Sequence, residues 1–251
     1  MLPRRRFLAG LGASAGGLVL GGCDVLNENE QFRRGLNVAE RLNYHSQRAI
    51  TGRNELAREY TVADLSPVFR TNGNILPDSA EYQRHLAGGF ADWRLRVGGL
   101  VARPLAISLP QLRAMPQRTQ ITRHDCVEGW SAIGQWTGPQ LSHVLKAAGL
   151  LPAARFIVFH CADNFSGWPY YESVDLVDAF HPQTILAWRL NGAPLPVGNG
   201  APIRLRVERQ LGYKHAKFVM GVEARSTLDG LYRGKGGYWE DAAGYEWYAG
   251  I

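Results

Sequence analysis

The chain has 251 residues, 45% hydrophobic, 20% charged and 10% aromatic, enough apolar material for one large domain or two small ones. The formal net charge is +6, but Arg4, Arg5 and Arg6 sit in a first segment without acids, and the weak remaining bias has no arginine-rich stripe with interleaved aromatics. This argues against nucleic acid as a partner. Cysteine is scarce, with only Cys23, Cys126 and Cys161, and no disulfide framework is recognisable.

Residues 1–23 read as an export signal. Arg4-Arg5-Arg6 precedes Phe7-Leu8-Ala9 and a Gly/Ala/Leu-rich run too short and glycine-rich for a good membrane span. The paired arginines resemble the twin-arginine signal of proteins exported folded, and Leu20-Gly21-Gly22-Cys23 resembles a lipoprotein box with Cys23 lipidated. Gly10-x-Gly12-x-x-Ala15 follows arginines rather than a strand, so it fails the context of a dinucleotide fingerprint.

Residues 24–60 are expected to form a tether and an extended or short helical arm. Residues 61–92 carry Ser66-Pro67, Asn72-Gly73-Asn74 and Pro77-Asp78, and predict loops rather than a core element. Trp93 to Val97 alternates as a half-buried strand, and Leu109 to Met115 reads as a short helix with Pro in its first turn. Gln120 to Arg123 predicts a strand delivering Cys126 at its end. Thr137-Gly138-Pro139 is taken to start a helix through Leu141, Val144, Leu145 and Ala148 that stops at Gly149. Arg155 to Cys161 is a buried strand, Ser173 to Ala179 a helical turn capped by Ser173, and Thr184 to Leu190 a strand before the Asn191-Gly192 turn. Ile203 to Val207 and Lys217 to Val222 are further strands, and 226–251 shows no period. The pattern is α+β, with mixed sheets, short helices and long loops. The organisation is a signal over 1–23, an arm and loops over 24–92, and one globular domain over 93–251.

Two constellations carry chemistry. Arg123-His124-Asp125-Cys126-Val127-Glu128-Gly129-Trp130 sets a cysteine among ionisable neighbours, where positive charge would favour a thiolate. Such a thiolate is a nucleophile, a redox centre or a soft-metal ligand. Gly198-Asn199-Gly200 with Arg204, then Lys214, His215, Ala216 and Lys217, predicts an anionic, phosphorylated ligand.

These segments resemble the sulfite oxidase superfamily. Thr122 to Ser131 and Trp136-Thr137-Gly138 are similar to its molybdenum-ligand segment. Ala179 to Ala187, Asn191 to Pro196, Gly200 to Leu205 and Tyr213 to Lys217 are similar to its later blocks, in order. The resemblance implies a molybdopterin-binding fold and a molybdenum ion held by a pterin dithiolene and Cys126. It implies that Asn199, Arg204, His215, Ala216 and Lys217 hold the pterin's phosphate and ring edges, with Cys161 a further contact. Asn43 and His45 would belong to an arm closing over the pterin. Arg123 and His124 are candidates for steering substrate or moving protons.

The implied activity is two-electron oxygen-atom transfer on a small-molecule substrate, in the direction of S-oxide reduction. Sulfite-type oxidation is the alternative, and a Cys-nucleophile enzyme or a cofactor-free lipoprotein binding module represents other classes. Asn at 199 resembles the reductase type rather than the sulfite oxidases. The sequence shows neither an immunoglobulin-like dimerisation domain nor Cys-x-x-Cys-His. The expectation is therefore a periplasmic monomer, anchored through Cys23, that draws electrons from a separate partner, either a membrane haem subunit or a soluble cytochrome.

Overall fold

The computed structural model describes residues 30–251, so the signal and Cys23 lie outside the described residues. The chain divides into two compact units, one ending at Thr51 and the other running from Gly52 to Ile251. In the first, the arm is a single helix, α1, of 21 residues from Glu30 to Ile50, not the extended or short helical piece expected. Its sequence has no proline, one glycine and many good helix formers, which is enough to sustain the run.

Residues 52–251 hold three sheets. The largest has five strands: β1 (Arg94–Gly99), β2 (Leu105–Ser108), β5 (Phe156–Phe165), β6 (Trp168–Asp175) and β11 (Val219–Arg225), in the order β2-β1-β11-β5-β6. Only β1 and β11 pair in parallel. The second sheet joins β3 (Gln117–Cys126), β4 (Trp130–Pro139), β8 (Arg189–Leu190) and β9 (Ala193–Pro194) in sequence order. The third pairs β7 (Ile185–Ala187) with β10 (Arg204–Arg206).

Helices cover these sheets. They are α2 (Ala80–Ala87), α3 (Leu109–Ala114), α4 (Leu141–Ala148), α5 (Leu176–Ala179) and α6 (Tyr238–Ala243). The main core gathers Trp93, with Leu95 and Val97 of β1 just after it, Leu141, Val144 and Leu145 of α4, and Ile157 and Phe159 of β5. A smaller core of Trp136, Ile185, Ala187 and Leu190 lies between the second and third sheets. None of the described helices is long and apolar enough to cross a membrane.

Four expectations are corrected. Residues 61–92 contain α2, capped by Ser79, whose Oγ accepts from Tyr82 N. Tyr82 is fully buried and donates to Ala201 O at 2.8 Å, so this turn-rich stretch contributes to the core after all. Thr137-Gly138-Pro139 ends β4 instead of starting a helix, because Thr137 pairs with Thr119 across the sheet. Ser173 lies within β6, and the cap of α5 is Asp175, whose Oδ1 accepts from Asp178 N at 2.9 Å. The aperiodic end holds α6.

Candidate active site

β3 and β4 pair along their full length, with Cys126 opposite Trp130. The turn between them has Gly129 at φ +84, where a side chain would be strained. Side chains alternate along a strand, so Gln120, Thr122, His124 and Cys126 share one face of β3, and the first three are buried. Arg123 projects from the other face and donates to Asp125 Oδ2 at 2.9 Å. It lines a separate hollow with Arg58 and Tyr60, away from the cavity onto which Cys126 opens.

The expectation that flanking charge makes Cys126 a free thiolate is therefore corrected. Burial is the largest influence on the thiol and pushes its pKa up, and the Glu128 backbone, Arg204 and Lys217 offset this only in part. His124 cannot help, because burial first and Arg206 next hold its pKa well below the ordinary value. A coordinating metal, by contrast, deprotonates a thiol outright.

The floor beneath Cys126 is a buried polar network. Arg206 Nη1 contacts His124 Nδ1 at 2.9 Å, while its other nitrogens grip Glu208 at 2.6 and 2.9 Å. Glu208 Oε1 also accepts from Gln120 Nε2 at 2.8 Å. Arg204 and Arg206, two apart on β10, both lie over Trp136, at 5.1 and 4.4 Å from its ring centre. Only Arg206 has a carboxylate partner. Arg204 bonds the carbonyls of Asn199 (3.2 Å) and His215 (3.1 Å), and its Nε is buried without a partner. Burial and the neighbouring Arg206 push Arg204 down to about 9, so it remains a cation at neutral pH.

Lys217 lies at the cavity's edge. Burial and Arg204 push it down to about 7, yet its Nζ donates to the carbonyls of Asn72 (2.6 Å), Gly198 (2.9 Å) and Asn74. Three acceptors are filled only by the ammonium form.

The opposite side of the cavity is built by residues distant in sequence from Cys126. Asn72, Gly73 and Asn74 lie over it, fixed by Lys217 and by Gly73 N donating to Glu128 Oε1 at 3.1 Å. Asp163 of β5 lines it with a buried, unpartnered Oδ1. Tyr170, Trp239 and Tyr245 supply aromatic walls, and Trp239 stacks on Tyr245 at 5.8 Å. The turn signal at Asn72-Gly73 was visible, but nothing local tied it to Lys217, 145 residues away.

The expected cofactor residues separate into groups. His215 and Lys217 line the cavity, and Arg204 lies behind them. Asn199 is buried in the 3₁₀ turn Val197–Asn199, where its Nδ2 reaches Arg70 O at 3.5 Å. Ala216 is buried and its carbonyl accepts from Leu205 N. Cys161 is a half-buried free thiol that packs against the main core two residues before Asp163, outside the cavity lining. Asn43 and His45 are exposed on α1, with Asn43 Oδ1 accepting from Gln47 Nε2 at 3.3 Å.

The donor set fits a metal carried by an anionic organic cofactor. One thiol faces the cavity, and among the described residues no three His, Cys, Asp or Glu side chains converge to hold an ion by themselves. The remaining ligands of a soft metal would come from a dithiolene. Buried Arg204 and Lys217 have no carboxylate partner and would suit an anion, and Nδ1 of His215 and Oδ1 of Asp163 are buried without partners at the cavity.

Fold and site together define a chain with one thiol facing a cavity backed by buried cations. The family model described as the oxidoreductase molybdopterin binding domain matches residues 84–230, and the chain belongs to that family. It is a molybdenum-dependent oxidoreductase with molybdopterin as its cofactor. A chain of Azospira oryzae, provisionally named protein-methionine-sulfoxide reductase subunit YedZ1, is 36% identical over 250 residues, 99% of this chain and 88% of that one. The protein-methionine-sulfoxide reductase catalytic subunit MsrP of Xanthomonas axonopodis pv. citri is 37% identical over 141 residues, which cover 52% of this chain and 44% of that relative. The solved sulfane dehydrogenase SoxCD of Paracoccus pantotrophus matches with a TM-score of 0.51 at 24% identity, over 55% of this chain and 39% of that one. The likeness supports a sulfite-oxidase-like fold.

Proposed function

We propose that this chain is an exported reductase of S-oxides, working by two-electron oxygen-atom transfer with Cys126 as the protein ligand of molybdenum. One observation carries the reading: behind the cavity onto which Cys126 opens lies buried Arg204, a cation bonded to carbonyls and lacking a carboxylate partner. A buried charge of that kind is retained where an anion completes it. When bound, molybdopterin supplies a centre that accepts an oxygen atom and stores two electrons.

The chain's own residues bind and orient. Cys126 Sγ anchors the metal, Arg204, Lys217 and the Asn199 turn hold the anionic end, and Asp163 Oδ1 accepts from a donor on the ring edge. Tyr170, Trp239 and Tyr245 keep water from the cavity, and Glu128, bonded to Gly73 N and Trp130 Nε1, fixes the loop over it. Each turnover takes an S-oxide, two electrons and two protons to a sulfide and water. The relatives' names as methionine-sulfoxide reductase subunits support this substrate class and a separate electron-carrying partner. The export-signal resemblance of residues 1–23 supports periplasmic work, with the chain a monomer anchored through Cys23.

Metal and pterin analysis of the purified chain tests the reading, together with reduced-dye turnover of S-oxides against sulfite oxidation. The expected result is about one molybdenum and one pterin per chain, with S-oxide reduction dominant. In Cys126→Ser, molybdenum and S-oxide turnover should both fall by more than about 100-fold, since even residues that only orient a metal ligand are worth 10- to 100-fold. Full metal content in that variant would remove Cys126 from the ligand role.

A further inference from the structure

Behind the aromatic wall of the cavity lies a second hollow, lined by Trp168, Pro169, Tyr171, Tyr232, Arg233 and Tyr238. Tyr170 and Tyr171, neighbours on β6, face opposite ways, so Tyr170 lines the cavity and Tyr171 the hollow. Tyr238 and Trp239 divide in the same manner on α6. The partition is about one ring thick. Tyr238 stacks on Tyr170 at 5.6 Å and meets Phe165 and Trp239 at 5.1 and 5.2 Å, and all three of those residues line the cavity. Two features of the hollow are costly while it is empty. Trp168 is 51% exposed and Tyr232 42%, so two large rings stand partly in water around it. Tyr232 also holds φ +51, a left-handed backbone that a bulky residue rarely adopts, with its ring 4.5 Å from Tyr171. The polar groups differ in what they have left to give. The Asp241 carboxylate is already occupied, accepting from Tyr171 Oη at 2.5 Å, Lys235 N at 3.0 Å and Arg233 N at 3.2 Å. Arg233 lies 5.3 Å over the Trp168 ring, bonds the carbonyl of Asp241 at 3.4 Å, and has no carboxylate partner among the described residues.

We propose that this hollow is a specificity subsite for a polypeptide substrate: it receives an aromatic side chain two or three residues from the S-oxide, and Arg233 receives a carboxylate beside that side chain. The spacing follows from the wall, because two or three residues of extended chain span roughly 7–10 Å, enough to cross one ring and its contacts. The rings of Trp168, Tyr171 and Tyr232 suit another ring, which packs offset or edge-on against such partners. The proposal rests on the reading of the chain as an S-oxide reductase and sharpens it to S-oxides held within a chain.

Octapeptides of serine and alanine with one methionine sulfoxide test this, with Phe-Asp placed two or three residues before or after the S-oxide. The molybdenum-loaded chain is assayed with a reduced dye against these, a peptide lacking Phe-Asp, and free methionine sulfoxide. At one placement kcat/KM should exceed that of the plain peptide by roughly 10- to 100-fold, the worth of burying one phenylalanine. The gain should lie in KM, because the contact is made equally before and during the chemical step. Trp168→Ala should bring that peptide down to the plain one. Arg233→Gln should remove the part of the gain due to Asp, about two- to fivefold, as should high salt. Turnover of free methionine sulfoxide within about twofold of the parent shows that both variants are folded and loaded. Calorimetry with the unoxidised Phe-Asp peptide gives a readout without turnover, and its Kd should weaken about tenfold in Trp168→Ala.

Turnover of free methionine sulfoxide with no gain from Phe-Asp at any placement overturns the subsite alone. A gain that Trp168→Ala leaves intact does the same, since the side chain then binds elsewhere. Failure of the molybdenum-loaded chain to reduce any S-oxide, free or in a peptide, overturns the functional reading and the subsite with it.

Discussion

At the residue scale, the cavity holds its charges by burial as much as by pairing. Asp163 shows the consequence. Burial raises its carboxyl from 3.8 to about 6, and Lys217 opposes this only in part. A carboxyl raised above its unfolded value adds stability that is full below about pH 4 and lost as pH climbs through about 6. The shift of about two pKa units corresponds to roughly 3 kcal/mol at neutral pH. Asp163→Asn should therefore raise the melting temperature of cofactor-free protein at pH 7 and leave it unchanged near pH 4. Equal effects at both pH values would show that burial does not raise the Asp163 carboxyl. The same logic explains which site residues were legible. Cys126, Arg204, His215 and Lys217 stood in recognisable motifs. Arg123 looked equivalent to His124 in the sequence, but strand alternation sends neighbours to opposite faces, so only His124 enters the floor. Asp163 and Trp239 carry no motif, and only the folding of β5 and the last segment onto one cavity reveals them.

At the element scale, the site depends on how closely the second and third sheets approach. Gly138 in β4 lies against β7 so tightly that a Cβ there would stand 2.1 Å from Leu186 O and 2.8 Å from Ala187 Cα. Those neighbours are backbone and cannot rotate away. Gly138→Ala should cost at least about 2 kcal/mol by overpacking. Because β7 carries β10, the same change should loosen Arg204 and speed cofactor release. A variant with unchanged denaturant midpoint would show that β4 and β7 can separate at little cost. This contact also marks the limit of local reading. Long apolar runs such as Phe156–Phe159 and the Leu141–Ala148 stripe announced β5 and α4 correctly, because burial pattern and period coincide there. Thr137-Gly138-Pro139 misled because its glycine answers a distant backbone, not a local turn. The helix α2 was missed for a related reason, since a buried Tyr82 inside a turn-rich stretch gives no periodic signal.

Across residues 52–251, the last segment binds parts of the fold that are far apart in sequence. Ile251 N donates to Arg209 O at 3.1 Å, Leu211 N to Ala249 O at 2.9 Å, and Tyr213 Oη to Glu246 O at 2.5 Å. The deepest tie is Lys214, fully buried between Glu172 of β6, at 2.6 Å, and Glu240 of α6. Burial, then Glu240, push the Glu172 carboxyl well above its ordinary value. Burial alone would lower Lys214, but the two glutamates overcome it and raise the ammonium instead. The upward push favours the neutral form of Glu172, and a neutral cluster around one ammonium requires one such form. That charge count predicts two unlike outcomes from single changes. Lys214→Met strands the glutamates without their cation and should cost about 3–5 kcal/mol, the usual penalty for breaking a buried ion pair. In a domain of this size that lowers the melting temperature by roughly 10 °C. Glu172→Gln replaces the protonated member with a neutral isostere and should cost less than about 1 kcal/mol, because the remaining pair stays balanced. Thermal denaturation of both variants at neutral pH decides the matter. A large loss in Glu172→Gln would mean that both glutamates are ionised around Lys214, and the end of the chain would then be held by a net negative cluster instead of a neutral one.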